Sequence, residues 1–95
     1  MVKRVFTFGH GQTNPKTGES LHKHYVVMEG KTVEHCRLAM FNHFGRQWSF
    51  EYADEEKAGV EQFNLIEVPR EEWPLMGEGK YRLDDKGFIE YVGGH

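Results

Sequence analysis

Several features that would narrow the protein's class are scarce in this sequence. Its 95 residues include a single cysteine, so no disulfide can form within the chain. No apolar run approaches the roughly 20 residues of a membrane-spanning helix. The first ten residues, MVKRVFTFGH, lack the long apolar core of a secretory signal. We therefore expect one cytoplasmic domain without membrane association.

Motifs for common chemistries are also missing. The chain contains no Walker lysine, no GxGxxG pattern, and no HExxH or zinc-finger spacing. The net charge of −3 disfavours nucleic acid as a partner, because such binders usually carry a basic stripe. We predict no cofactor.

The charge that is present divides unevenly along the chain. Residues 1–50 contain seven Lys or Arg against three Asp or Glu, whereas residues 51–95 contain five against twelve. Five of the six histidines lie in the first part. A dipolar surface can orient a charged partner, but the same charges can also mix on an ordinary solvated surface. Both interpretations stay open.

A single helix is the clearest predicted element. Thr32 is the predicted N-cap, since its hydroxyl can accept a hydrogen bond from the first turn. Gly45 can adopt the left-handed conformation that ends a helix. Arg37 falls inside the apolar arc and should either snorkel or point to an edge. Apolar residues at helical spacing predict one buried face, formed by Val33, Cys36, Met40 and Phe44.

Four segments have the composition of strands: 2–8, 22–29, 46–52 and 60–68. With the helix between the second and the third, the predicted order is β-β-α-β-β. One helix packed on a mixed or antiparallel sheet, an α+β fold, suits this order best.

Side-chain alternation predicts which residues share a face in two of these strands. In the third, Trp48, Phe50 and Tyr52 alternate with polar residues, so all three should face the core. In the fourth, Phe63 and Leu65 should share a face.

The C-terminal part has a different character. Residues 71–76 predict a short turn that anchors Trp73, and residues 93–95 a flexible end. Residues 81–91 have a hairpin pattern around Gly87, which can supply a positive φ. We predict a core of residues 1–69 and an acidic hairpin extension, 70–95, of the same domain. A lone hairpin is marginally stable, so it should dock on the main sheet or mediate association.

The segment 9–24 holds the best candidate binding site. Its first thirteen residues, GHGQTNPKTGESL, form a long polar loop with three glycines, and long structured loops are often functional. Such a loop suits a phosphate or another anion, or it is an ordinary polar connection. The predicted contact residues carry positive or titratable side chains: His10, Lys16, His22, Lys23 and His24.

Two catalytic or metal-binding alternatives are weaker. His22 and His24 would share a strand face and, with His10, would supply imidazole ligands, but no spacing completes a zinc site. Cys36 lies on the apolar helix face, where thiols are usually inert packing residues. We therefore assign no catalytic residue and no metal ligand.

The run YVVMEGKTVEHCRLAMFNHFGRQWSFEY, followed by GVEQFNLIEV, resembles small uncharacterised proteins encoded by bacteriophages. The resemblance covers roughly residues 2–68. It rests on a strand-helix-strand pattern, so it transfers no site residue. It implies a small soluble protein in the bacterial host cytoplasm, aimed at a host factor.

These observations favour a small non-enzymatic binding protein that binds and inhibits a host protein or defence factor, or takes a small anionic ligand. One alternative is a nucleotide- or nucleic-acid-binding module that uses residues 9–24. Another is a His-dependent or metal-dependent hydrolase. The sequence leaves the oligomeric state open.

Overall fold

The computed structural model describes residues 1–74 and 81–92 and has an α+β fold, with one main helix on a mixed sheet. Leu75 and Met76 of the predicted turn, and the predicted flexible end 93–95, lie outside the described residues. The elements in chain order are β1 (Val2–Thr7), β2 (His24–Gly30), α1 (Val33–Phe44), β3 (Phe50–Tyr52), α2 (Glu55–Ala58), β4 (Ile66–Glu67), a 3-10 helix (Arg70–Glu72), β5 (Tyr81–Leu83) and β6 (Ile89–Tyr91).

The main sheet has four strands in the order β3-β1-β2-β4. β1 pairs antiparallel with β2, which places Val2 opposite Gly30 and Thr7 opposite Tyr25. β3 is antiparallel to β1, whereas β4 runs parallel to β2. The sheet is therefore mixed, and the two C-terminal strands β5 and β6 form a separate antiparallel hairpin.

Helix α1 begins and ends where the sequence predicts. The Thr32 hydroxyl accepts a hydrogen bond from the backbone N–H of His35 at 3.2 Å. Gly45 follows the last turn at φ 62°, and its N–H donates to the carbonyl of Phe41 at 2.8 Å. Of the predicted apolar stripe, Cys36, Met40 and Phe44 are fully buried, whereas Val33 is half-buried.

This stripe packs on one face of the sheet and forms the main core. Gly30 makes close packing possible, because a Cβ atom there would lie 2.9 Å from the backbone nitrogen of Cys36. The core contains buried residues from the sheet, the helix and the chain beyond β4: Phe6, Phe8, Leu21, Val26, Met28, Cys36, Met40, Phe44, Val68 and Trp73.

The opposite face of the sheet carries a smaller core. Val5 and Tyr25 project from the two central strands and bury Ala58 of α2 against them. The residues packed around these three are half-buried: Val27, Tyr52, Val60 and Leu65. Because α2 is a single turn, it covers only part of this face.

Arg37 forms an ion pair at the edge of the helix. Its guanidinium donates to the Glu51 carboxylate, with Nε 2.5 Å from Oε1. Arg4 donates to the other Glu51 oxygen at 2.7 Å. The hydrogen bond with Glu51 raises the pKa of Arg37. One carboxylate thus connects α1, β1 and β3 on the helix side of the sheet.

The prediction for the third strand is wrong in extent and in orientation. Only Phe50–Tyr52 pair with β1. Trp48 precedes the strand and packs against Phe6 and Phe41 under the helix, with centroid distances of 5.0 and 5.2 Å. Phe50 faces the other side and is 56% exposed. Alternation holds only within a paired strand, and here the chain crosses to the sheet edge after Trp48.

The prediction for the fourth strand is also wrong. After α2 the chain forms turns, in which Phe63 N–H donates to Gly59 and Leu65 N–H donates to Val60. Asn64 has a φ of 52°, which no strand residue adopts. Strand β4 is left with two residues. Phe63 is consequently 54% exposed, while Leu65 is half-buried.

Trp73 and the hairpin both join the C-terminal part to the rest of the molecule. Trp73 is buried in the main core and donates from Nε1 to the carbonyl of Val68 at 3.1 Å. The hairpin packs on α1 rather than on the main sheet, through the Phe41–Tyr81 ring pair and a hydrogen bond from Tyr81 N–H to Asn42 Oδ1. Gly87 has the expected positive φ, 85°.

Within residues 1–74 and 81–92, no helix has the length and hydropathy needed to cross a membrane.

We expect Met40→Ala and Phe44→Ala each to lower the free energy of unfolding by about 2–5 kcal/mol, because each leaves a cavity in the main core. Urea unfolding followed by circular dichroism measures this change. Phe88→Ala is the matched control, since Phe88 is 67% exposed. Its change should stay within about 0.5 kcal/mol. Equal effects for Phe44 and Phe88 would contradict the placement of the core.

Candidate functional site

A groove opens on the sheet face opposite α1, beside the smaller core. Its volume is about 240 Å³. We call it the aromatic groove, because aromatic side chains form much of its wall. The lining residues are Thr7, Phe8, His22, Lys23, His24, Phe50, Tyr52, Ala58, Phe63 and Leu65.

Phe50 reaches the groove through the register of the edge strand. It lies opposite Thr7 in β1, and Tyr52 lies opposite Val5. Residues two apart share a sheet face, so Phe50 and Tyr52 project away from α1 while Glu51 projects toward it. Tyr52 is partly covered by the smaller core, but Phe50 lies beyond that cover and stays exposed.

Phe63 reaches the same groove from the turn after α2. Gly59 ends α2 in the left-handed conformation at φ 76°. A Cβ atom on Gly59 would lie 2.6 Å from the Phe63 ring, so the ring packs directly on this glycine. The hydrogen bond from Phe63 N–H to the Gly59 carbonyl, at 2.9 Å, holds the turn closed.

The third wall is the turn His22-Lys23-His24. Lys23 has a φ of 72°, a conformation that costs a residue with a side chain about 1–2 kcal/mol. Two backbone hydrogen bonds of 2.9 Å hold it there, from His24 N–H to the Leu21 carbonyl and from Ile66 N–H to the Lys23 carbonyl. The predicted strand therefore begins only at His24, and His22 lies outside it.

The structure brings His10 and His22 together but gives them a different arrangement from a metal site. Their rings stack with centroids 3.8 Å apart. Nδ1 of His24 lies 3.3 Å from the backbone carbonyl of His22. Among the described residues, no three His, Cys, Asp or Glu side chains are placed to hold a metal ion.

Lys16 lies apart from the other predicted contact residues. Its ammonium donates to the carbonyl of Glu71 at 2.7 Å, and it does not line the aromatic groove. Asn14, which is 3% exposed, anchors this part of the loop by donating to the Glu72 carbonyl at 2.9 Å. The polar loop is thus fastened to the chain before Trp73.

Cys36 occupies the position expected for a packing residue. It is fully buried, and its thiol donates to the carbonyl of Val2 at 3.5 Å. Burial raises the pKa of this thiol, and the Glu51 carboxylate adds to the effect. Both effects disfavour the reactive thiolate.

The comparisons with known proteins found no matching family model, no similar curated protein and no similar solved structure.

Sequence patterns identified only the polar wall of the groove. His22, Lys23 and His24 line it, and they were predicted from their charge and position. Alternation instead places Phe50 on a buried strand face and Phe63 on a strand face shared with Leu65. Gly45, Gly59 and Asn64 favour turns and are a signal against long strands in this part of the chain, but they do not show which aromatic ring stays exposed.

Tyr25, in the smaller core, has a raised pKa. Burial raises the pKa of Tyr25, and its hydroxyl donates to Glu55 at 3.1 Å, which raises the pKa further. The folded protein therefore holds this proton more tightly than the unfolded chain does. Its contribution to stability is complete below the ordinary value of 10.0 and is lost as the pH rises through the folded pKa.

Tyr25→Phe should lower stability at neutral pH, because it removes the hydrogen bond, but it should reduce the loss of stability above about pH 10. Urea midpoints at several pH values between neutral and alkaline measure both effects. Tyr91→Phe, on the exposed end of the hairpin, should follow the wild type. An alkaline decline as steep in Tyr25→Phe as in the wild type would contradict the assignment.

Lys23→Gly should raise the free energy of unfolding by up to about 1 kcal/mol, because glycine adopts positive φ without steric cost and this gain exceeds its extra freedom in the unfolded chain. Lys31→Gly, at an exposed position without positive φ, is the control and should be neutral or destabilising. A loss of stability in Lys23→Gly would show that the lysine side chain stabilises the fold.

Proposed function

We propose that this chain is a small non-enzymatic binding protein and that the aromatic groove is its contact surface. The observation that carries the proposal is the exposure of Phe50 and Phe63, at 56% and 54%, on the walls of one depression. Exposed aromatic side chains grouped around a concave surface are typical of interaction sites.

The composition of the groove supports a protein partner. Protein interfaces concentrate binding energy in a few aromatic side chains that become desolvated, with polar groups around them. Phe50, Phe63 and the half-buried Tyr52 provide the aromatic part, and the turn around Lys23 provides the polar edge.

The particular partner that we propose is a host protein or defence factor of a bacterium, which the chain inhibits by occupying it. This part of the proposal comes from the resemblance to phage-encoded proteins. Of the residues predicted from the loop, His22, Lys23 and His24 belong to the proposed contact surface. His10 supports it through the stack on His22, and Lys16 lies outside it.

The double variant Phe50→Ser/Phe63→Ser tests this proposal. Both side chains are exposed, so the variant should fold with nearly wild-type stability. Immobilised wild-type protein should retain a bacterial protein from lysate, identified by mass spectrometry and then measured by calorimetry as a purified partner. Removing two aromatic contacts should weaken that binding by more than about thirtyfold, since such residues typically contribute 2 kcal/mol or more.

Phe88→Ser is the matched control, because Phe88 is exposed on the hairpin that packs on α1. It should bind the partner as the wild type does. Equal binding by the double variant, or loss of binding in the control alone, would move the contact surface away from the groove.

A further inference from the structure

Among the described residues, the one formally charged side chain that lines the aromatic groove is basic, Lys23. None of the residues that line it is acidic, whereas Lys23 and two histidines form one wall. His10 adds a further imidazole by stacking on His22. A partner that fits this surface should therefore bring negative charge to the same wall.

The Lys23 charge is available for such a partner. Among residues 1–74 and 81–92, its ammonium pairs with no carboxylate. By contrast, Arg4 and Arg37, two other cations within residues 1–50, both donate to the Glu51 carboxylate. The strained backbone at Lys23 places a basic side chain at a position where glycine would be less costly.

The surroundings favour a short acidic segment over a nucleic acid. Phe63 packs on Gly59, and beyond this glycine lies a hollow lined by Glu55, Glu56 and Glu61. A phosphate backbone that continued past Phe63 would meet these carboxylates. The groove itself, at about 240 Å³, is below the roughly 300–1,000 Å³ typical of small-molecule pockets, and its size suits an apolar side chain.

We infer that the aromatic groove takes an acidic peptide segment of a partner protein. An apolar side chain of that segment packs between Phe50 and Phe63, and its carboxylates contact the turn His22-Lys23-His24. The inference rests on the proposed function and specifies the chemistry of the partner at that site.

Selection from a random twelve-residue peptide library tests the inference without a known partner. The wild-type protein is the bait, and peptides that also bind Phe50→Ser/Phe63→Ser are removed. The remaining peptides should be enriched in Asp and Glu next to a Leu or aromatic residue. Groove-dependent peptides without an acidic preference would overturn the inference and leave the proposed function standing. The absence of any groove-dependent peptide would count against both.

Fluorescence anisotropy then compares the affinities of two peptides for the wild-type protein. One is the most enriched acidic peptide, and the other is its amide version, in which every Asp and Glu is replaced by Asn and Gln. The acidic peptide should bind up to about fivefold more tightly at low salt, since an exposed ion pair with Lys23 contributes about 0.2–1 kcal/mol and 1.4 kcal/mol corresponds to tenfold. This advantage should shrink at 1 M salt, where the screening length falls to about 3 Å.

Lys23→Gln should reduce severalfold the ratio of the affinities for the acidic and the amide peptide. Lys31→Gln is the control, because Lys31 lies beyond the opposite end of β2, and it should leave this ratio unchanged. Lys23→Gly should also reduce it without loss of stability, which separates recognition from folding. Equal binding of the acidic and amide peptides would overturn the inference. Groove-dependent binding of oligothymidine in preference to the peptide, or self-association through the groove, would overturn it as well.

Discussion

The close packing of α1 on β1 and β2 is the constraint on which the rest of the structure depends. Gly30 lets the first turn of the helix approach the end of β2, and the Phe8 ring packs against Phe44 with centroids 5.4 Å apart in the main core. A chain of 95 residues can bury only a modest core, so this one layer must bury most of its large apolar residues. Trp73 and Leu21 are drawn into the same cluster from distant parts of the chain.

Because most large apolar residues pack on the α1 side, few residues are left to cover the opposite face of the sheet. The single turn of α2 buries Val5 and Tyr25, but it does not extend to Phe50. The turns after α2 then place Phe63 at the margin. The aromatic groove is therefore a consequence of an asymmetric two-sided sheet, with one complete core and one partial core.

The sequence predicted well where the signal is local. The cap at Thr32, the end at Gly45, the apolar stripe and the turn at Gly87 all depend on neighbouring residues along the chain. The sequence predicted the strand boundaries poorly, because these depend on pairing with residues far away in the chain. Phe50 alternates with polar residues as a core residue would, and Phe63 lies in a segment with the composition of a strand. Their exposure depends instead on where pairing with β1 ends and where the turns after α2 begin.

By itself, then, the sequence determined the α+β class, the single buried helix face and the polar character of the turn at Lys23, because these follow from local periodicity and from charge. Only the tertiary structure decided that His22, Lys23 and His24 lie beside Phe50 and Phe63, while Lys16 is held at Glu71. It also decided that Arg4 and Arg37 share the Glu51 carboxylate, whereas Lys23 pairs with no carboxylate among the described residues. These are contacts between residues far apart in the chain, and the pairing of strands and the packing of side chains bring them together.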